Sequence, residues 1–175
     1  MYFGLSPFAS IGFRAGLIGG VVLTIGMVIM RAVEATPINF ELALGSLMTR
    51  SFDPMTWILG FAAHLFISGA IGIFYAKAFE AVNRFGAGVG IVFGLLHWMV
   101  SGLVMGMVPE MFSMVPELFG VPGYFGIQFG GFTAAGIGLL HLLFGAVEGT
   151  LYESARKRLT ALPAAVVSEP LRRVA

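Results

Sequence analysis

Cysteine is absent from the 175-residue chain. That excludes disulfides, zinc–thiolate sites, cysteine-ligated iron–sulfur clusters and a cysteine nucleophile together. Charge is also scarce: Asp, Glu, Lys and Arg make up 11% of the residues, against about 25% in an ordinary soluble domain. A net charge of +1 leaves no basic stripe for nucleic acid, and the one dense basic cluster is Arg156-Lys157-Arg158. Catalytic motifs are missing as well: there is no His-Glu-x-x-His, no phosphate-binding Gly-rich loop with lysine and no G-x-S-x-G elbow. His64 with Ser68 and His97 with Ser101 each set a base and a hydroxyl four residues apart. No acid within the apolar segments orients either base, so the reading is non-enzymatic.

What is abundant is apolar. Hydrophobic residues reach 58% and glycine 25 of 175, and the mean hydropathy is +0.93. Four segments, about 10–30, 55–76, 86–108 and 126–147, supply the roughly 20 apolar residues that cross a ~30 Å hydrocarbon core. Arg14 is the only formal charge inside them, and it lies near an end where its stem can snorkel to the head groups. The expected fold is therefore all-α: an integral membrane four-helix bundle spanning residues 1–152, with a basic tail over 153–175. Grouping Arg14, Lys77, Arg84, Arg156, Lys157, Arg158, Arg172 and Arg173 on one side leaves only Arg31 and Arg50 on the other. Cationic loops stay in the cytoplasm, so both termini are expected there. Ala32-Val33-Glu34-Ala35 has the small residues of a signal-cleavage site, but an internal repeat argues against cleavage.

That repeat is in register with the topology. Gly12, Gly16 and Gly20 of the first segment correspond to Gly86, Gly90 and Gly94 of the third, a small-xxx-small stripe of the glycine-zipper kind. His64, Ser68, Gly72 and Tyr75 of the second correspond to His141, Gly145, Gly149 and Tyr152 of the fourth. Two tandem helical hairpins related by a pseudo-two-fold along the membrane normal would produce this pattern. Shorter signals predict an amphipathic helix from about Pro37 to Met48 on the outer surface, capped by Thr36-Pro37. A doubled Met-Val-Pro-Glu segment at Met107 and Met114 predicts two short interfacial turns.

Three histidines fall at one depth. His64 and His141 each precede a tyrosine at the cytoplasmic end by eleven residues, roughly 16 Å of helix, and His97 lies roughly 19 Å above Arg84. All three share a face with small residues, as intramembrane ionisable groups usually do. One use is a packing clamp, with the imidazoles bonded to Ser68, Ser101, Thr24 or a backbone carbonyl. A second is bis-histidine ligation of haem b by His64 and His141. A third is a transition-metal site or passage at His64, His97 and His141, with Met99, Met105, Met107, Met111 and Met114 as soft ligands. Glu148, seven residues beyond His141, could begin a proton path toward the histidines or pair with Arg14, Lys77 or Arg84 at the interface.

A histidine followed by small residues, glycine and Tyr75, a Gly-rich segment with Trp98 ending at Met107-Val-Pro109, and the run His141 to Tyr152 together resemble a family of small bacterial four-span membrane proteins known only as a domain of unknown function. The likeness covers about residues 12–152. It implies a four-helix fold in the bacterial inner membrane and carries no substrate. The sequence thus points to a scaffold or complex subunit with a buried histidine cluster. A haem-binding electron-transfer subunit and a metal or proton carrier are the alternatives. The lipid bilayer, a membrane-protein partner or a second copy of the chain are the expected partners.

Overall fold

The computed structural model describes residues 6–107 and 120–161. The doubled Val-Pro-Glu turns and the chain beyond residue 161 lie outside them. The described elements are helical: α1 Pro7–Ala32, α2 Phe40–Thr49, α3 Pro54–Val82, α4 Ala87–Met107, a short 3-10 segment Tyr124–Phe129, and α5 Gly131–Thr160. Of these, α1, α3, α4 and α5 are each long and apolar enough to cross a membrane by length and composition. Helix α5 has 30 residues, about 45 Å at 1.5 Å per residue. It therefore runs through residue 153 without a break.

Local chemistry sets the helix ends. Pro7 and Pro54 open α1 and α3 at positions where a missing N–H costs nothing. The Ser6 hydroxyl accepts from the Ala9 amide at 3.2 Å and the Asp53 carboxylate from Thr56 at 2.8 Å, satisfying amides that the first turn leaves free. Helix α3 stops at Asn83, which takes the left-handed conformation at φ 50°, a common helix terminator. Thr36-Pro37 does not cap a helix as expected. The Thr36 hydroxyl instead bonds the Ile38 amide within a turn, and Asn39 caps α2 through Leu42.

Helix α2 is packed on one face and exposed on the other, at Leu47 and Met48. Glu41, Ala43 and Ser46 are buried, and Gly45 and Gly60 bring α2 so close to α3 that a Cβ on either would collide with a backbone carbonyl of the other helix. The reason is the glycine pair: without side chains at these two crossings, backbone meets backbone and the short helix is drawn against the long one.

Helices α1 and α3 form one antiparallel pair, α4 and α5 a second, and α1 against α5 joins them, while α3 and α4 keep their backbones apart and meet through Tyr75 and Phe79 against Phe93 and His97. Glycines make both pairs close. Gly12 meets Gly72 and Gly16 meets Ser68 in the first, and Gly86 meets Gly149 and Gly90 meets Gly145 in the second. Two apolar clusters fill the interior. One, at the α2 end, centres on Met27, Ile38, Met105, Ile137 and Leu140. The other, toward the basic end, centres on Tyr75, Phe79, Phe144 and Tyr152.

Candidate functional site

Where these clusters meet, the bundle contains a partly open cavity of about 210 Å³. Its wall is mostly aliphatic, with Leu23 and Met27 from α1 and Ile67 and Ile71 from α3. Its polar groups are few, three imidazoles and two hydroxyls: His64 and Ser68 from α3, His97 and Ser101 from α4, and His141 from α5. The three histidines that the sequence puts at one depth thus come from three helices to one space. Each is on its helix's small-residue face, which the glycine crossings turn inward.

His64 is buried, and its Nδ1 lies 3.0 Å from the Thr24 hydroxyl of α1, one of the partners anticipated from the sequence. The same nitrogen is 3.6 Å from Glu41 Oε1, and Arg31 Nη1 is 3.7 Å from Glu41 Oε2. Glu41 is fully buried and neither carboxyl oxygen has a hydrogen-bond partner among the described residues. Burial pushes its carboxyl up, but His64 and Thr24 beside it outweigh that and hold it below the usual carboxylate value. Glu41 and Arg31 were not legible as site residues. Arg31 reads as the end of a span and Glu41 as the polar side of a surface helix. The signal was Gly45 with Gly60, whose close crossing puts Glu41 on the packed face of α2.

The other two histidines touch. The His97 and His141 ring centroids are 4.7 Å apart and nearly perpendicular at 82°. His97 Nδ1 is 3.4 Å from the Tyr75 hydroxyl. His141 Nδ1 is 2.8 Å from the Ile137 carbonyl of its own helix, and because a carbonyl only accepts, that nitrogen carries the proton. In a neutral ring Nε2 then accepts from the Ser101 hydroxyl at 3.1 Å. Ser101 is also 3.1 Å from the Trp98 carbonyl, and one hydroxyl proton cannot serve both. If His141 gains a proton, Nε2–H donates to Ser101 and Ser101 donates to Trp98. The trio therefore has a complete hydrogen-bond arrangement for either protonation state.

Glu148, on the same helix as His141, is fully buried, and neither of its oxygens has a hydrogen-bond partner among the described residues. The expected pairing with Arg14, Lys77 or Arg84 is not found. The carboxyl is turned into the gap left by two glycines, so that a Cβ on Gly16 would come within 2.9 Å of Oε1 and one on Gly72 closer still. The ion pairs at this end belong to other residues. Arg156 donates to both oxygens of Glu80 at 2.6 and 3.2 Å, Tyr152 donates to Glu80 at 2.9 Å, and Lys157 meets Glu153 at 2.6 Å.

For haem, an axial bond would need a free ring nitrogen, and both nitrogens of His141 are engaged. Among the described residues no three His, Cys, Asp or Glu side chains converge as metal ligands. Of the methionines considered as soft ligands, Met105 lines the cavity, Met99 and Met107 are exposed, and Met111 and Met114 lie outside the described residues. Trp98 packs against Gly138 and Phe125, as a packing residue would. No family model, curated protein or solved structure matches this chain.

Proposed function

We propose that this chain is a four-span protein of the bacterial inner membrane that carries protons through the interior of its bundle. One observation carries the reading. Two fully buried carboxyl groups without hydrogen-bond partners, Glu41 and Glu148, flank a cavity that receives three imidazoles. A scaffold would gain nothing from that arrangement: Glu41 meets Arg31 and His64 only at 3.7 and 3.6 Å, Glu148 makes no hydrogen bond among the described residues, and burying such acids costs stability that apolar side chains would not. Ionisable groups inside apolar helices otherwise mark ion pathways and proton relays.

The path runs from Glu41 to His64, across the cavity to His97 and His141, and on to Glu148, seven residues or roughly 10 Å farther along α5. Imidazole suits the middle of such a path because it can take a proton on one nitrogen and release one from the other. The Ser101 hydroxyl can follow the state of His141 by rotating.

The tandem-hairpin reading belongs to the same proposal. The Gly12–Gly72 and Gly16–Ser68 crossings correspond to Gly86–Gly149 and Gly90–Gly145 with constant offsets along the chain, which supports one duplicated hairpin packed through a glycine zipper. The excess of Lys and Arg supports cytoplasmic termini, so Glu148 faces the cytoplasmic side and Glu41 the outer side.

The test is proton uptake into phosphatidylcholine vesicles containing the purified protein and an entrapped pH dye, driven by a valinomycin-clamped potassium potential. Uptake well above that of protein-free vesicles, and lost in Glu148→Gln, is expected. Uptake equal to that of protein-free vesicles contradicts the reading.

A further inference from the structure

The cavity has an opening that a proton path does not need. The backbones of helices α3 and α4 stay apart, and the side chains that bridge them, Tyr75 and Phe79 against Phe93 and His97, lie on the basic-end side of the cavity. Three residues of the cavity wall stand at this seam, Ile67 and Ile71 on α3 and Val104 on α4, and Ile67 and Val104 are 40% and 46% exposed. The seam thus leads from the apolar flank of the bundle directly to the histidines. The two histidines beside it are also the two with a ring nitrogen to spare. Among the described residues, Nδ1 of His64 bonds Thr24 and Nδ1 of His97 bonds Tyr75, while Nε2 of each makes no hydrogen bond.

We propose that the cavity binds the ring of a lipid-soluble quinone or its quinol, which reaches it sideways through the seam between α3 and α4. Three features select this class. The volume, about 210 Å³, exceeds the 150 Å³ or so that holds benzene and suits one substituted ring. The wall is apolar with a few convergent polar atoms, as small-molecule sites are. The polar atoms come from opposite helices and are imidazole nitrogens, each of which donates or accepts according to its tautomer. A quinone offers a carbonyl acceptor at each end of its ring and a quinol a hydroxyl at each end, so the same two histidines serve both forms. The isoprenoid-like tail stays in the seam against Ile67 and Val104.

The inference concerns binding alone. It shares the cavity of the proton reading, but its test uses no gradient, so either can fail without the other. Purified protein in phosphatidylcholine vesicles is titrated with decyl-1,4-benzoquinone, its quinol, and decylbenzene as a control without oxygens; bound probe is measured against protein-free vesicles. One saturable site per chain is expected, with decylbenzene at least about tenfold weaker and His64→Ala and His97→Ala each weakening the quinone about tenfold. Val104→Trp, at a half-exposed position of the cavity wall, fills the mouth of the cavity and should reduce binding while helix content by circular dichroism is kept. Uptake no greater than in protein-free vesicles overturns the proposal, as does decylbenzene binding equally well. So does a folded Val104→Trp or histidine variant that binds the quinone undiminished.

Discussion

At the level of single residues, Glu41 is the acid that only the fold puts inside: Gly45 and Gly60 press its helix against α3 until the carboxyl is fully buried. A histidine in an apolar run is conspicuous, and eleven-residue spacing to a tyrosine fixed two depths at once. Glu148 was visible too, but sequence gives an acid at the end of an apolar segment the natural fate of an interfacial ion pair. Only the side chains missing at Gly16 and Gly72, on two other helices, open a place for it inside. The account therefore expects Gly16→Ala to disturb the α1–α3 crossing and Glu148 together, because the added methyl meets the Ser68 backbone carbonyl even more closely than it meets Oε1 at 2.9 Å. Its check is proton uptake and melting temperature on one preparation, with both falling; an unchanged melting temperature would show that the crossing is not tightly packed. A second residue-scale expectation concerns Asp53. The Thr56 amide and the Ser51 hydroxyl hold its carboxyl below the usual value. A depressed carboxyl stabilises the fold above its unfolded pKa of about 3.9 and loses that contribution as pH falls through the lower folded value. The first turn of α3 should then fray below pH 4, which hydrogen exchange at Thr56 and Trp57 would report; Asp53→Asn, which keeps an acceptor, should remove the pH dependence.

Among the elements, the four long helices were legible because roughly 20 uninterrupted apolar residues have few other uses, and the second segment, expected over about 55–76, is part of the longer α3, Pro54–Val82. The helix expected from about Pro37 to Met48 is present as Phe40–Thr49, and its start and its buried face differ from the expectation for a physical reason. Amphipathic pattern and a Thr-Pro cap describe a surface helix equally well as a helix pressed into a bundle, and the decision lies with Gly60, on a different element. Glycine positions also yield a prediction with its own control. A Cβ on Gly72 would strike the Gly12 carbonyl, whereas one on Gly88 meets nothing within 4 Å. Gly72→Val should cost about 1–3 kcal/mol or more through overpacking, and Gly88→Val, on the exposed side of α4, should cost under about 1 kcal/mol. Thermal unfolding in mild detergent separates the two, and equal losses would show that the crossings are not tightly packed.

For the whole molecule, the order of contact α3, α1, α5, α4 leaves the chain open along one seam, and that arrangement was out of reach of the sequence. The hydrophobic pattern of each helix is nearly uniform, since a lipid-facing side is as apolar as a buried one, so it does not say which helices are neighbours. Orientation, by contrast, rests on counted charges. A chain without cysteine makes its test clean: Glu34→Cys should react with a membrane-impermeant maleimide from outside intact bacteria, and Arg84→Cys only after the membrane is opened. Labelling in the reverse sense would invert the assignment of both acids. The claim at the centre of the account is that Glu148, sealed among glycines, exchanges its proton through the histidines. Infrared difference spectroscopy of the vesicle-bound protein, stepped in pH, reads this most directly. The account predicts a protonated-carboxyl band that is lost in Glu148→Gln and whose exchange is slowed at least tenfold in His141→Phe. A band absent from the wild type at every pH, or exchanging as fast without His141, would contradict it.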